Sequence, residues 1–221
     1  MEQLYLGDCL DILPTLKDKS IDHILTDIPY GTTDCKWDSI IPFEPMWKEL
    51  KRIIKDNGCI ALFGSEPFSS HLRLSNLDWF KYDLIWLKTR PSNVFVAKKR
   101  FMNWYEVISI FYNRLPKFNP QFEKGSAYKK VNYKQNRENG VYKNIKEKDI
   151  CVVENNGFRY PKSILNFSNP NHNSLHPTQK PVALLEYLIK TYTNENDTVL
   201  DFTMGSGSTG VASKNLNRNF I

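Results

Sequence analysis

Continuous apolar runs alternate with amphipathic segments along this chain, and this alternation is the feature that most constrains its fold. The run CIALFGS at residues 59–65 shows no polar alternation, which is typical of a strand buried on both faces of a sheet. It follows residues 43–58, whose apolar positions recur with helical spacing and whose Asn57-Gly58 pair predicts the helix end. Repeated strand–helix alternation predicts a doubly wound α/β fold with a mostly parallel sheet.

The same patterns predict the remaining elements. Strands are expected at 3–8, 20–27, 79–88, 105–113, 163–167, 198–202 and 217–221, and helices at 9–16, 66–77 and 182–192. Asp8 and Asp27 fall at the carboxyl ends of two of these strands, where open α/β sheets bind ligands. Aspartate is also a common turn residue at a strand exit, so this position alone does not establish a function.

Composition narrows the class of protein. The 221 residues suit one domain, or one domain with a sizeable insertion, and the net charge of +6 favours a polyanionic partner. The cysteines, Cys9, Cys35, Cys59 and Cys151, form no Cys-x-x-Cys pair and are expected to be reduced thiols of an intracellular protein. The acidic amino-terminal stretch lacks signal-peptide features, and no apolar run approaches the ~18 residues of a membrane span, so we expect a cytoplasmic protein without membrane contact.

The segment LDFTMGSGSTG carries a glycine-rich loop between a predicted strand and a predicted helix. Gly205, Gly207 and Gly210 have the spacing of a dinucleotide fingerprint, whereas the Gly-Lys pair of a Walker loop is absent from the sequence. Such glycines allow close approach of a ligand, and free amides at a helix start favour an anionic group. A tight turn without a ligand is the structural alternative.

The segment TDIPYG presents a carboxylate, a fixed turn and an aromatic ring within four residues. Asp27 and the Ile28 carbonyl could accept the two hydrogens of an exocyclic amino group, and the Asp27 charge would favour the positive charge that develops on an alkylated nitrogen. Pro29 restricts the turn, and Tyr30 could stack on a base.

A basic insertion interrupts the strand–helix pattern at about residues 114–162. From Lys124 to Ile150 it holds eight Lys or Arg and three Asp or Glu, a net +5, with tyrosines interspersed. It is either a solvated loop or a nucleic-acid contact surface, in which Lys129, Lys130, Lys134 and Arg137 would meet phosphates.

These motifs together resemble the β group of DNA amino-methyltransferases, in which the catalytic tetrapeptide precedes the cofactor motif. TDIPYG is similar to the catalytic motif, LDFTMGSGSTG to the S-adenosylmethionine loop, HPTQKPVALLEYLIK to the segment near the methionine end of the cofactor, and LYLGDCLDIL to the stretch near its adenine. The resemblance spans nearly the whole chain and implies a Rossmann-like methyltransferase fold with the target-recognition region in the basic insertion. It also implies double-stranded DNA as partner, a target base flipped out of the helix and, by analogy, a homodimer.

The resemblance also implies roles for individual residues. Asp27, Ile28, Pro29 and Tyr30 would hold the target base, adenine being favoured over cytosine because Asp rather than Ser begins the tetrapeptide. Lys180 would meet the methionine carboxylate of the cofactor. The full set of expected cofactor-binding residues is Asp8, Cys9, His176, Thr178, Lys180, Asp201, Thr203, Gly205, Gly207, Ser208 and Thr209.

Three departures from the family pattern leave alternatives open. Ile28 replaces a proline, Thr203 stands where the family has phenylalanine, and the chain stops at Ile221, before the acidic residue that would hold the ribose. The last departure predicts a truncated fold or an impaired cofactor site, and hence a DNA-binding or partner module as one alternative. Cytosine-N4, RNA or a protein amide are alternative targets. His172 and His176 lie beside prolines and away from cysteine, so no metal site is expected.

Overall fold

The computed structural model describes residues 1–33, 35, 38–133, 150–170 and 179–221. The chain divides into two compact units, one formed by Met1–Asn119 with Lys162–Ile221 and the other by Pro120–Pro161. The strands are β1 (Ile21–Thr26), β2 (Ile54–Gly64), β3 (Phe80–Ser92), β4 (Asn103–Phe111), β5 (Glu123–Lys124), β6 (Tyr128–Tyr133), β7 (Ile150–Asn155), β8 (Phe158–Arg159), β9 (Ile164–Asn166), β10 (Thr198–Leu200) and β11 (Asn219–Phe220). The α-helices are α1 (Cys9–Ile12), α2 (Phe43–Ile53), α3 (Phe68–Leu74), α4 (Val182–Tyr192) and α5 (Ser208–Asn215).

The larger unit is built on a seven-stranded sheet with the order β11-β10-β1-β2-β4-β3-β9. Neighbouring strands from β11 to β2 are parallel, as are β3 and β9, whereas β4 runs antiparallel to both of its neighbours. The predicted mostly parallel α/β sheet is therefore confirmed, with one reversed strand. Because β10 pairs directly with β1, the segments after Asp201 and Asp27 leave the sheet side by side.

Helices cover both faces of this sheet, as a doubly wound fold requires. Alternate residues of β1 point to opposite sides: Ile24 packs in the cluster that contains α2 and α3, and Leu25 in the cluster that contains α4 and α5. The same alternation separates Leu62 from Phe63 on β2. All four side chains are buried, which explains why these strands have continuous apolar sequences.

Helix α4 coincides with its predicted range, because Pro181 is its N-cap and Leu184, Leu185, Leu188 and Ile189 form one buried face. The predicted end of α2 is wrong: the helix ends at Ile53, and Ile54 already pairs with Ile21 of β1. A Cβ at Gly58 would lie 2.9 Å from the Asp22 carbonyl oxygen, so this glycine permits close strand approach and does not end a helix.

The predicted strand at 3–8 is also wrong. A single bridge joins Glu2 to Phe220, and the Gln3 amide donates to the Phe220 carbonyl at 2.9 Å. Leu4 and Leu6 beyond it are exposed, so burial does not fix a register for this segment. No helix among the described residues is long and apolar enough to cross a bilayer.

The smaller unit, Pro120–Pro161, consists of two antiparallel strand pairs, β5 with β8 and β6 with β7. Phe122 packs against Tyr160 at 5.0 Å between ring centroids. Residues 114–119, which the sequence places in the insertion, belong to the larger unit, where Lys117 bonds Asp22 and Asp197 at 3.0 and 2.6 Å.

Candidate active site

The tetrapeptide Asp27–Tyr30 leaves the carboxyl end of β1 and lies partly buried. Ile28 packs in the core and fixes the position of the turn. The Tyr30 hydroxyl donates to Asp27 Oδ1, and its ring stacks on Phe68 with centroids 5.1 Å apart. Burial, and then the charge of Asp27, raise the pKa of Tyr30 well above its usual value, so the phenol stays protonated and acts as a donor.

The loop after the tetrapeptide is held by one carboxylate, that of Asp38. Oδ1 accepts from the amides of Tyr30 and Gly31 at 2.8 and 2.9 Å. Oδ2 accepts from the amides of Thr32 and Thr33 at 2.9 and 2.7 Å, and from the Thr33 hydroxyl at 2.8 Å. Burial alone would raise the pKa of Asp38, but these hydrogen bonds outweigh it and lower the pKa. Asp38 therefore fixes the backbone that carries Tyr30.

A chain of buried charges supports Asp27 from the opposite side. Lys180 Nζ lies 2.5 Å from Asp27 Oδ2 and 3.2 Å from Glu106 Oε2. Lys88 Nζ lies 2.9 Å from Glu106 Oε1. The exposed fractions of the Lys180, Lys88 and Glu106 side chains are 9%, 6% and 16%, so water screens these pairs weakly.

The charges in this chain stabilise one another. Burial alone would lower the pKa of Lys180, but the charges of Asp27 and Glu106 outweigh it and raise the pKa above that of a free lysine. Burial would likewise raise the pKa of Glu106, and the charges of Lys180 and Lys88 lower it instead. Lys180 thus remains an ammonium ion beside Asp27. The resemblance placed Lys180 at a cofactor carboxylate; in this structure its partners are Asp27 and Glu106.

The glycine-rich loop connects β10 to α5. Gly207 precedes the first residue of α5 with a φ of 77°, a conformation in which glycine is favoured. A Cβ at Gly210 would approach the Phe220 ring to 2.9 Å, so this glycine allows α5 to pack on β11. The first turn of α5 begins at Ser208 and Thr209, and the first amides of a helix have no acceptor within the helix.

Threonines link this loop to the tetrapeptide. Thr26 Oγ1 donates to Asp201 Oδ1 at 2.5 Å, and lies 2.5 Å from Thr203 Oγ1. Thr203 Oγ1 in turn lies 3.2 Å from the Asp27 carbonyl oxygen, to which it donates. The pKa of the Asp201 carboxyl group is raised, and burial is the largest cause of this shift. Thr203, where the resemblance expects phenylalanine, thereby connects the two loops directly.

One cavity of about 1080 Å³ brings most of the predicted site residues together within the larger unit. Asp8 reaches it from the start of α1, where its side chain also caps the helix by accepting from the Leu10 amide at 2.8 Å. The predicted residues that line the cavity are Asp8, Cys9, Asp27, Ile28, Pro29, Tyr30, Lys180, Asp201, Thr203, Gly205, Gly207, Ser208 and Thr209. His172, His176 and Thr178 lie outside the described residues.

Sequence reasoning missed several residues that line or support this cavity. Asp38, Lys88 and Glu106 are charged, and Thr26 is a polar residue in a buried strand. Glu106 carried a usable signal, since it is the one charged residue in the mostly apolar strand β4. Lys88 and Asp38 carried none, because their partners become neighbours only in the folded chain.

The predicted DNA-binding residues are only partly described. Lys129 and Lys130 lie on the exposed strand β6, with Lys129 Nζ 3.8 Å from Glu154 of β7. Arg159 lies over the Tyr128 ring at 4.9 Å, so basic side chains and aromatic rings share this surface. Lys134 and Arg137 lie outside the described residues.

Comparison with known proteins identifies similar sequences and folds. The profile of a family described as DNA methylase matches residues 21–221. The type II methyltransferase M.HinfI of Haemophilus influenzae is 30% identical over 245 residues, which cover 97% of this chain and 62% of that protein. The chain thus spans about 62% of the length of this relative.

Solved structures agree in fold. The M1.HpyAVI–SAM complex is 27% identical with a TM-score of 0.63, over 100% of this chain and 92% of that one. The PvuII cytosine-N4-specific DNA methyltransferase is 16% identical with a TM-score of 0.69, over 100% and 80%, and this likeness concerns the fold alone.

Proposed function

Because the chain belongs to the DNA methylase family, whose profile covers residues 21–221, we propose that it transfers a methyl group from S-adenosylmethionine to the N6 amino group of adenine in DNA. The observation that carries this proposal is that the tetrapeptide and the glycine-rich loop share one cavity. Residues 27 and 203, far apart in the sequence, are joined there by a hydrogen bond of 3.2 Å.

The tetrapeptide has the groups that an amino nitrogen needs to become a nucleophile. The lone pair of an exocyclic amino group is delocalised into the base, so the nitrogen must be held towards tetrahedral geometry. Asp27 and the Ile28 carbonyl would accept its two hydrogens, and the Asp27 charge would stabilise the positive nitrogen that forms. The proton released afterwards would pass through Asp27 to solvent. A carbonyl oxygen is present whether residue 28 is proline or isoleucine, so this departure preserves the acceptor.

The buried charges around Asp27 prepare it for this role. Lys180 stabilises a negative carboxylate at 2.5 Å, and Glu106 holds Lys180 in place from the other side. The Tyr30 hydroxyl occupies Asp27 Oδ1, the acceptor that the target amino group requires. Binding of the base would therefore exchange the Tyr30 hydrogen bond for one from the substrate, while the tyrosine ring forms a wall of the pocket.

The remaining cavity residues fit a sulfonium nucleoside. S-adenosylmethionine, when bound, supplies the electrophilic methyl group. The loop at Gly205 and Gly207 is open, since a Cβ at Gly207 would approach nothing closer than Met204 Sδ at 3.8 Å. Asp8 and Cys9 line the same cavity from another side and would border the adenine, and the amides that begin α5 suit an anionic group. Burial first, and then the charge of Asp8, raise the pKa of the Cys9 thiol, which favours a neutral contact.

Duplex DNA as the substrate requires that the base leave the helix, because its amino group lies inside the stack. Lys129 and Lys130 on β6 would then contact phosphates, as would Lys134 and Arg137, and the unit at 120–161 would serve target recognition. The choice of adenine as the target base is based on Asp27, the first residue of the tetrapeptide. Cytosine-N4 is the second candidate, because the two acceptors at Asp27 and Ile28 suit its amino group equally well.

The test is to express the chain in cells lacking DNA methylation and to sequence their DNA with a method that detects modified bases. Nucleoside analysis of the same DNA distinguishes methylation at adenine N6 from methylation at cytosine N4. We expect N6-methyladenine in one sequence context, and none with Asp27→Ala. N4-methylcytosine would refute the choice of base.

Calorimetry with S-adenosylmethionine separates an enzyme from a binding module. The proposal predicts a saturable binding isotherm and transfer of a labelled methyl group to unmethylated DNA. DNA binding without cofactor binding or transfer would show that the chain is a module without turnover.

A further inference from the structure

The β3–β4 loop, defined as residues 93–102, exposes two aromatic rings completely. Phe95 and Phe101 have relative exposures of 105% and 99%, whereas the large side chains of the core fall below a few per cent. Exposed apolar groups that cluster on a surface commonly mark an interaction site. The loop also holds Lys98, Lys99 and Arg100, and no acidic residue occurs between Asp83 and Glu106.

This loop forms part of the rim of the cavity that contains Asp27. Asn93 and Arg100 of the loop line that cavity, as do Ser92 and Asn103 at its two ends. The backbone of the loop is organised: the Val96 amide donates to the Asn93 carbonyl at 3.1 Å, and the Arg100 amide to the Val96 carbonyl at 3.0 Å. The exposed rings are therefore presented by a structured turn beside the opening.

We propose that the β3–β4 loop is a DNA-contact surface at the mouth of the active site. Lys98, Lys99 and Arg100 hold phosphates of the strand that carries the target base, and Phe95 and Phe101 stack against bases that lose a neighbour when the target leaves the helix. The inference rests on the proposed function, because it assumes that a nucleobase enters the cavity. It adds a second DNA surface to the one predicted at 120–161.

Charge and side-chain type favour DNA over a protein partner here. Lysine is depleted at protein interfaces, whereas a basic stretch with aromatic rings suits phosphates and base faces. Lys98, Lys99 and Arg100 are exposed and no acidic residue occurs within the loop, so the loop presents positive charge to a polyanion. An extruded base also leaves unstacked neighbours, for which an aromatic ring is a chemically matched contact.

The charge test uses the double variant Lys98→Glu/Lys99→Glu and compares its affinity for a fluorescent duplex over a salt series. The matched control is Lys17→Glu/Lys190→Glu, which reverses two exposed lysines at the end of the sheet where β1 and β10 begin. We expect at least about ten-fold weaker binding for the loop variant and a salt slope reduced by about 2, with the control near wild type. Equal affinities for both variants, or a change only in self-association, would overturn the proposal.

The aromatic test uses Phe95→Ala/Phe101→Ala, which changes fully exposed side chains and should leave folding and cofactor binding intact. We expect about ten-fold slower methyl transfer on a matched duplex and recovery on a duplex mismatched at the target, where extrusion is easier. A wild-type rate on the matched duplex, or no recovery on the mismatch, contradicts the stacking role. If the wild-type chain transfers methyl groups but the loop variants bind DNA as tightly as the control variant, this inference is refuted and the proposed function is not. Loop-dependent DNA binding without any transfer would refute the proposed function and would leave only the DNA-contact role of the loop.

Discussion

Strand β1 has an aspartate near each end, and the two carboxylates lie in contrasting surroundings. Asp22, 3% exposed, accepts from Lys55 at 2.7 Å, from Lys117 at 3.0 Å and from the Thr198 amide at 3.0 Å. Asp27 follows the other end of the strand and faces the cavity, with Tyr30 and Lys180 as partners.

The difference indicates that the two aspartates have different roles: Asp22 stabilises the fold, and Asp27 is available to a ligand. The partners of Asp22 come from β2, from the start of β10 and from the segment after β4, so its carboxylate joins three parts of the larger unit. The partners of Asp27 leave one side open to a ligand. In open α/β sheets ligands bind at the carboxyl ends of the strands, and the proposed catalytic role of Asp27 follows that rule.

The largest expected effect is at Asp27. Asp27→Asn should lower the rate of methyl transfer by about 10³-fold, because the negative charge that stabilises the reacting nitrogen is lost. The free energy of unfolding should fall by about 2 kcal/mol, because Lys180 loses a charge-assisted hydrogen bond to Asp27 but keeps its contact with Glu106. Single-turnover transfer and urea denaturation measure the two quantities. An undiminished rate would remove Asp27 from the mechanism.

Asp22→Asn should affect stability alone. We expect a loss of about 3 kcal/mol in the free energy of unfolding, because a buried carboxylate that pairs with two lysines is lost, while the transfer rate per folded molecule stays unchanged. Burial alone would raise the pKa of Asp22, but its hydrogen bonds, led by that from Lys55, lower it. The matched control is Asp56→Asn, whose exposed pair with Lys19 should leave stability unchanged. Equal stabilities of the two variants would contradict the structural role of Asp22.

The next effect concerns pH and His23, the neighbour of Asp22. Burial lowers the pKa of His23 to about 4, and its Nδ1–H donates to the Cys59 carbonyl at 2.8 Å. The unfolded chain binds a proton near pH 6.5, which the folded chain does not bind until about pH 4. The free energy of unfolding should therefore fall by up to about 3 kcal/mol as the pH decreases through this window.

Chemical denaturation between pH 7.5 and 4.5 measures this dependence. Burial raises the pKa values of Tyr192 and Cys59, which pack against or bond His23, so neither titrates there. His23→Gln should flatten the slope between pH 6.5 and 4.5. A variant with the wild-type slope would assign the dependence to other groups.

The smallest effect is at Asp38, which supports the functional end of β1. Asp38→Asn replaces Oδ2 by an amide that cannot accept, so the bonds from Thr32 and Thr33 are lost. We expect kcat to fall about ten-fold with unchanged cofactor affinity, because the loop carrying Tyr30 loosens. Thr33→Val, which removes one of these bonds, should have a smaller effect. Unchanged kcat in Asp38→Asn would show that the loop is held by other contacts.

The sequence predicted those parts of the fold that local pattern controls. Helix α4 and the buried strands β1 and β2 have strong periodicity, and their burial on both faces required a layered α/β fold. The clustering of Asp27 with the glycine-rich loop was also predictable, because parallel strands bring their carboxyl ends to one edge.

Features that depend on tertiary register were not predictable. The reversed direction of β4 leaves no mark in its apolar pattern, and residue 54 could continue a helix or begin a strand. The ion pairs among Lys180, Asp27 and Glu106 join three distant segments. The position of the β3–β4 loop at the cavity was not predictable either, because its net charge is smaller than that of the insertion and only the fold places it beside Asp27.

The hydrogen bonds at Asp27 imply a chemical filter on the proposed reaction. Both oxygens of this carboxylate face donors, Tyr30 on one and Lys180 on the other. A base with a keto oxygen in place of the amino group, such as thymine or guanine at its major-groove edge, would set oxygen against oxygen with no hydrogen between them. Such a base has no hydrogen with which to replace the tyrosine hydroxyl at Asp27 Oδ1. Asp27 would therefore repel keto bases and accept amino bases, whatever the surrounding DNA sequence.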